Sequence, residues 1–260
     1  MVLAALVLAL EGEAPPEPLG LRGFFYALLR EVAPETHDQG ENPFSLGHGG
    51  REGAYWARFA FLREDLYARL APRLFALEGQ EVRLGHPFRV RGVFQEGHPW
   101  AGVSTYARLF QGPAGPDLPL HFQSPTFFRR KGVHYPLPEP RLVLESLFRR
   151  FQAFAPLTPP EAVREALMER TTVRFLEGRT RPARTEVDTV GFVGKVVYHL
   201  PKATEEEALW LWALGRFAFF AGVGAKTSLG YGLVRPWVSR VQSAHGSEPS
   251  RGTLEDGLGG

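Results

Sequence analysis

A glycine-rich segment near the end of the chain carries residues suited to phosphate binding. Residues 222–232 read Gly-Val-Gly-Ala-Lys-Thr-Ser-Leu-Gly-Tyr-Gly. A nucleotide-binding P-loop needs glycine directly before its lysine and another glycine five positions before that one. This chain has Ala225 and Phe220 at those positions. The segment also follows a helical pattern and precedes a strand pattern, which is the reverse of a P-loop. The spacing and the order therefore exclude that loop.

Two interpretations of the glycine-rich segment remain open on these residues. In the first, the glycines form a turn that lets a helix dock closely on a sheet. In the second, exposed backbone N–H groups and a lysine hold an RNA phosphate, and the small residues allow the ligand to approach the backbone. The second interpretation predicts RNA binding by Gly224, Lys226, Thr227 and Ser228.

Basic residues, most of them arginines, gather in two further places. One is the run Arg129, Arg130 and Lys131, and the other is a predicted hairpin tip, residues 177–184, with Arg179, Arg181 and Arg184. A single charge cluster is commonly a solvated surface. Two clusters in loops, with Lys226 in a third, favour a basic groove. Arginine suits both phosphate contact and recognition of hairpin bases, so these residues are further candidates for RNA binding.

The apolar pattern of the first half predicts the elements that position these residues. In chain order they are strand 2–10, helix 21–32, a polar connection 37–53, strand 54–62, helix 64–77 and hairpin 81–94. Pro72 is expected to break or restart its helix because proline removes a backbone donor. The order suggests a ferredoxin-like unit, a split βαβ fold.

The second half follows a looser version of the same pattern. It predicts helices 142–154 and 159–168, strands 171–176 and 185–200, helix 204–221 and strand 233–241. We therefore expect an α+β protein with domains 1–125 and 126–242. Residues 243–260 are rich in serine, glycine, proline and charge, which predicts a disordered tail.

The composition limits the remaining function classes. The 260 residues include no cysteine, carry a net charge of +2 and are 44% hydrophobic, as in a globular protein. Without thiolates, and without His, Asp and Glu at metal-ligand spacing, no metal and no cofactor are predicted. The apolar run 2–10 lacks a basic leader and is too short to span a bilayer, so we expect a cytoplasmic protein without a membrane partner.

Several motifs together resemble a known family. A helix followed by Gly-x-Gly-x-Lys-x-Ser-x-Gly-x-Gly and a final strand resembles the repeat-associated (RAMP) superfamily of CRISPR proteins. Ser124-Pro-Thr126, the Gly-Phe-Val-Gly run at 191–194 and His37 after the first helix are similar to its precursor-RNA-processing endoribonucleases. The resemblance covers roughly residues 1–238.

This resemblance implies two tandem ferredoxin-like (RRM-like) domains with antiparallel sheets. It further implies metal-independent cleavage of CRISPR repeat RNA at or near the hairpin base. In that reaction a 2′-hydroxyl attacks the adjacent phosphate and leaves 2′,3′-cyclic phosphate and 5′-hydroxyl ends. The alternative is a non-catalytic superfamily member that binds crRNA inside an effector complex. Whether the chain forms a homodimer or joins other effector subunits stays open.

His37 is the catalytic residue that the resemblance implies, because the family commonly places a histidine just after the first helix. Histidine can transfer either proton of the reaction near neutral pH. Arg22 and Tyr26, one helical turn apart, are the other catalytic candidates, with Arg22 in an electrostatic role. His48 is the second choice of histidine. The chain has no lysine near His37, where some relatives place one.

Overall fold

The computed structural model describes residues 1–34, 41–184 and 188–237. His37 and the predicted tail therefore lie outside the described residues. Within them the chain is an α+β protein, and every strand pairing is antiparallel. Over the same part of the chain, no helix is both long enough and apolar enough to cross a bilayer.

The first half builds one sheet with two helices. Its elements are β1 (Val2–Glu11), α1 (Pro18–Val32), β2 (Phe44–Arg51), β3 (Ala54–Phe61), α2 (Glu64–Phe75), β4 (Glu81–Leu84), β5 (His86–Phe94) and β6 (Gly102–Thr105). The strand order is β2-β3-β1-β5-β4, and β6 pairs with the start of β1. One apolar core joins this sheet to α1 and α2 through side chains such as Leu21, Phe25 and Leu70.

The second half builds another sheet. Its elements are β7 (Asp117–Thr126), β8 (Phe128–Arg130), β9 (Val133–Tyr135), α3 (Pro140–Phe154), α4 (Glu161–Arg170), β10 (Thr172–Arg184), β11 (Asp188–His199), α5 (Glu205–Ala221) and β12 (Val234–Pro236). The strand order is β10-β11-β7-β12, while β8 and β9 form a separate hairpin. When β4 and β6 are left aside, the two main sheets have the same strand order. β2-β3-β1-β5 in the first sheet corresponds to β10-β11-β7-β12 in the second, so in each sheet the second and third strands in chain order are followed by the first and the last.

The division between the two sheets differs from the predicted one. The whole of β7 lies in the second sheet, between β11 and β12. A boundary after residue 125 would assign nearly all of this strand to the first domain. The apolar pattern of β7 does not reveal its partners, because its pairing with β11 joins residues about 75 positions apart in sequence, such as His121 and Lys195.

Glycine concealed β2 from the sequence pattern. Residues 37–53 were predicted as a connection, yet β2 spans Phe44–Arg51 and pairs along its length with β3. A Cβ on Gly49 would lie 2.5 Å from the Trp56 ring, and one on Gly47 would lie 3.3 Å from Leu233. Trp56 and Leu233 leave no room for a larger residue at these two positions. Because glycine has a low strand propensity, the sequence pattern did not indicate a strand here.

Two other expectations need correction. Residues 177–184 are not a hairpin tip, because β10 continues to Arg184 and pairs with β11 throughout. Pro72 does not break α2, which runs on to Phe75. Proline removes only one backbone bond there, and its own carbonyl accepts from Ala76 in the last turn.

Polar side chains of the first sheet complete the end of α5. Ser45 Oγ donates to the Phe220 carbonyl at 2.7 Å, and Arg58 Nη2 donates to the Phe219 carbonyl. Arg58 is fully buried and also donates through Nε to the Trp100 carbonyl at 2.9 Å. The last carbonyls of a helix lack partners within the helix, so these bonds satisfy groups that burial would otherwise leave unpaired.

Candidate nucleic-acid interface

A cleft of about 1030 Å³ opens between the two halves of the molecule. The first half contributes the segment before α1 and the end of β2. The second half contributes β7, the β10–β11 hairpin and the glycine-rich segment. Its charged and titratable lining residues are His48, His121, Glu177, Arg179, Arg181, Arg184 and Lys195. Four of these seven carry a fixed positive charge, which suits a polyanion.

The β10–β11 hairpin places the three predicted arginines along one wall. Arg179, Arg181 and Arg184 are all exposed and line the cleft from a strand, rather than from a flexible tip. Odd-numbered residues of a strand share one face, so Arg179 and Arg181 point the same way. Gly191 lets β11 approach β7 closely, because a Cβ there would lie 2.6 Å from the Thr126 nitrogen.

The glycine-rich segment does not present all its backbone donors to solvent. The N–H groups of Val223, Gly224 and Ala225 donate to the Gly232 carbonyl, Ser146 Oγ and the Phe127 carbonyl, at 2.9, 2.9 and 2.8 Å. These three N–H groups therefore have partners within the protein. This arrangement agrees with the first interpretation, in which the glycines form a turn that lets a helix dock on a sheet. The glycines are needed sterically, since a Cβ on Gly232 (φ 70°) would lie 1.9 Å from the Val223 carbonyl oxygen.

Thr227 and Ser228 are also buried, contrary to a direct role for their hydroxyls on a ligand. Thr227 Oγ1 accepts a hydrogen bond from Arg150 Nη1 at 3.0 Å. Arg150 is 2% exposed, and burial lowers its pKa to about 10, so it remains charged at neutral pH. Its Nη2 donates to the carbonyls of Asn42 and Phe44 at 2.9 and 2.8 Å.

Lys226 lies beside the β8–β9 hairpin. It adopts a left-handed conformation (φ 59°). Together with Arg129 it adds positive charge next to His134, which lowers the pKa of that imidazole after the larger effect of burial. Arg130 is exposed and forms an ion pair, because its Nη1 lies 3.3 Å from Glu139 Oε1. Lys131 is exposed in the turn of the hairpin.

Helix α1 brings Arg22 and Tyr26 together. The Arg22 guanidinium carbon lies 5.1 Å from the centre of the Tyr26 ring, which itself packs edge-on against Phe44. Residues 35–40, which include His37, lie outside the described residues. The described chain resumes at Glu41, whose carboxylate lies 2.6 Å from Arg149 Nε.

Burial favours the neutral form of two histidines in the cleft. Burial lowers the pKa of His48, which sits on β2 against Gly230 of the glycine-rich segment. Burial also lowers the pKa of His121, and the positive charges of Arg235 and Lys195 lower it further. A neutral imidazole can accept a proton, so both side chains are chemically competent bases.

Sequence reasoning missed several residues that shape this region. Arg150, His121 and Lys195 were not candidates, because each belongs to an apolar or β-branched pattern that predicts a structural role. The available signal was a pair of adjacent arginines, Arg149 and Arg150, inside the apolar pattern of α3. In the described ranges, no group of three or more His, Asp or Glu side chains could hold a metal ion.

Comparison with known proteins agrees with the family resemblance. The model of the CRISPR-associated endoribonuclease Cas6 family matches residues 120–234. The CRISPR-associated endoribonucleases Cas6 of two Mycobacterium tuberculosis strains are 27% identical over 143 residues. Those residues cover 51% of this chain and 43% of each relative, so the chain matches less than half of their length.

Solved structures match over nearly the whole described chain. Thermus Cas6 (TTHA0078) in a product complex is 80% identical with a TM-score of 0.90, covering 92% of this chain and 100% of that one. The H37A mutant of TTHA0078 is 78% identical with a TM-score of 0.88 and the same coverage. Thermus thermophilus Cas6 (TTHB231) is 31% identical with a TM-score of 0.74, covering 91% and 98%. With 80% identity over the full length of such a relative, the chain belongs to the Cas6 family of CRISPR-associated endoribonucleases.

Proposed function

We propose that this protein cleaves CRISPR precursor RNA within the repeat, at or near the base of its hairpin, without a metal ion. A 2′-hydroxyl of the RNA attacks the adjacent phosphate, and the products carry 2′,3′-cyclic phosphate and 5′-hydroxyl ends. The observation that carries the proposal is the positively lined cleft between the two sheets, in a chain that belongs to the Cas6 family. The TTHA0078 protein has been solved with its product and with a substrate mimic.

His37 is the proposed catalytic base or acid. A protein in this reaction must remove the 2′-hydroxyl proton, protonate the 5′-oxygen that leaves, and stabilise the charge on the phosphorane. Study of an H37A mutant of TTHA0078 supports the choice, since this chain has a histidine at the same number. Tyr26 and Arg22 form a contacting pair on α1, in which Arg22 can hold phosphate charge but cannot exchange a proton at neutral pH.

The proposed RNA-binding surface follows the cations of β10, of the β8–β9 hairpin and of the glycine-rich segment. Arg179, Arg181 and Arg184 hold phosphates or hairpin bases along the β10 wall. Arg129, Lys131 and Lys226 extend that charge to the β8–β9 hairpin. Direct contacts by Thr227, Ser228 and the N–H of Gly224 are not part of this surface, because Thr227 accepts from Arg150, Gly224 donates to Ser146 and Ser228 is buried.

We also propose that the two sheets are tandem ferredoxin-like domains. Support comes from the shared strand order and from the helices that follow the first and third strands of each half. The domain boundary then lies before Asp117. The proposed partner is CRISPR repeat RNA, both as the precursor and as processed crRNA.

Cleavage in the presence of EDTA tests the proposed function. We expect a repeat hairpin RNA to be cut at one position, with the 5′ fragment ending in a 2′,3′-cyclic phosphate. Mass spectrometry of the fragments and acid hydrolysis of the cyclic end identify that product. An intact hairpin after long incubation, with binding retained, would instead favour the non-catalytic crRNA-binding alternative.

The β10 arginines should control the salt dependence of RNA binding. Each phosphate contact contributes a slope of about −0.7 to −0.9 to a plot of log affinity against log salt. We expect the double variant Arg179→Gln/Arg181→Gln to make that slope shallower by between about 1 and 2. The matched control is Arg73→Gln/Arg69→Gln on α2, which should keep the wild-type slope. Equal slopes for both pairs would contradict the assignment.

A further inference from the structure

Two aromatic rings of the first sheet lie over glycines. The Trp56 ring covers Gly49 of the neighbouring strand, where a Cβ would lie 2.5 Å away, and the Phe94 ring covers Gly92, where a Cβ would lie 3.2 Å away. On β1, Ala9 is opposite both Trp56 of β3 and Gly92 of β5. Small residues therefore underlie both rings.

His98 joins these two rings into one surface. Its ring centre lies 5.8 Å from that of Trp56 and 6.3 Å from that of Phe94. Phe94 is 39% exposed, while Trp56 and His98 are half-buried. We call Trp56, Phe94 and His98 the aromatic surface.

Three rings stack beside this surface. The planes of Phe219 and Trp100 are 4° apart, and those of Trp100 and Trp56 are 24° apart, with 6.0 Å between ring centres in each pair. Trp100 in the middle is buried, while Phe219 and Trp56 at the two ends are half-buried. Because the rings are already ordered, another planar ring can stack there at little further entropic cost.

Positive charge connects the aromatic surface with the cleft. The Arg235 guanidinium carbon lies 4.8 Å from the centre of the Trp100 ring. In the second sheet Arg235 is opposite His121, which is opposite Lys195. Glu177 is opposite Lys195 at the far end of this row, so one carboxylate offsets part of the charge. His121, Lys195 and Gly49 all line the cleft, so the two regions are continuous.

We infer that the aromatic surface binds unpaired bases of the RNA strand that continues out of the cleft. This inference rests on the proposed function, because the cleft must first hold the RNA. Aromatic faces stack on bases of any sequence, and neighbouring cations follow the phosphates. Arg235 and Lys195 supply those cations between the cleft and the rings. An RNA strand carries both phosphates for these cations and planar bases for the rings. The strand reaches the aromatic surface from the cleft.

Binding of three labelled RNAs tests the inference. The first is a repeat hairpin alone. The second carries a single-stranded extension of about eight adenylates, a length within the usual site sizes, and the third carries the same number of abasic residues. Extensions are placed separately at the 5′ and 3′ ends. Fluorescence anisotropy gives each Kd for the wild type, Phe94→Ala and the matched control Phe75→Ala, whose phenylalanine is 38% exposed on α2.

We expect adenylates at one end to improve wild-type binding by about tenfold over abasic residues. Phe94→Ala should remove most of that gain and leave binding of the hairpin alone unchanged, while Phe75→Ala should retain it. No advantage of adenylates at either end would overturn the inference, and so would an equal loss in both variants. Cleavage of the hairpin alone is scored separately, so failure to cut bears only on the proposed nuclease.

Discussion

Replacing His37 with alanine should lower the cleavage rate by at least about 100-fold, the usual effect of losing a general acid or base. The reaction still requires a proton to leave the 2′-hydroxyl and another to reach the 5′-oxygen, and water would have to supply these transfers. RNA affinity should stay within about twofold of wild type, because arginines and lysines provide the binding charge. Single-turnover cleavage and equilibrium binding measured on the same RNA separate the two effects.

Two further histidine variants make this result specific. His48→Ala tests the second candidate, since His48 lies in the cleft and is neutral at physiological pH. His86→Ala is the control, because His86 is exposed and paired with Glu17 at 3.0 Å, away from the cleft lining. Wild-type cleavage by His37→Ala, with a large loss in His48→Ala, would move the catalytic role to His48.

Replacing Arg150 with methionine should lower the free energy of unfolding by about 3 kcal/mol. The variant fills a similar volume but removes the donors to Asn42, Phe44 and Thr227, and each buried acceptor left unpaired costs about 1–3 kcal/mol. Arg149→Met is the matched control from the next position. Arg149 is 56% exposed in its ion pair with Glu41, so its loss should cost less than about 1 kcal/mol. Urea unfolding measures both.

Variants of Arg150 also distinguish a role in positioning the site from a role in stability alone. It joins the chain just after the segment that carries His37 to the glycine-rich segment. Arg150→Lys keeps the charge but cannot direct several donors at once, so we expect intermediate stability and intermediate cleavage well below its melting temperature. If Arg150→Met, Arg150→Lys and Arg149→Met have the same free energy of unfolding, the buried hydrogen bonds of Arg150 do not contribute the expected stability.

The helices were the most predictable part of the fold. Leu21, Phe25 and Leu29 repeat at helical spacing and form the buried face of α1. Helix α5 begins close to its predicted start, where Thr204 and Glu207 form a capping box. These patterns are local, so one stretch of sequence carries them completely.

Pairing over long distances was not predictable in the same way. β2 was missed because Gly47 and Gly49 are set by the side chains that lie over them, Leu233 and Trp56, and those belong to distant parts of the fold. The position of Arg179 and Arg181 in a strand depends on pairing with β11. The glycine-rich segment was identified correctly as a family motif, but its backbone bonds to Ser146 and Phe127 were invisible until the fold was known.

The way Ser45 and Arg58 complete the end of α5 has a consequence for how the halves can be separated. Each half has its own sheet and its own helices, which suggests two modules that could be exchanged between relatives. Yet the last carbonyls of α5, at Phe219 and Phe220, find their donors only across the boundary. A second half grafted onto a foreign first half would keep every strand and still lose these bonds, unless the foreign half supplied a serine and an arginine at the equivalent places. Exchange between relatives therefore requires these two polar side chains as well as the apolar core that the halves share.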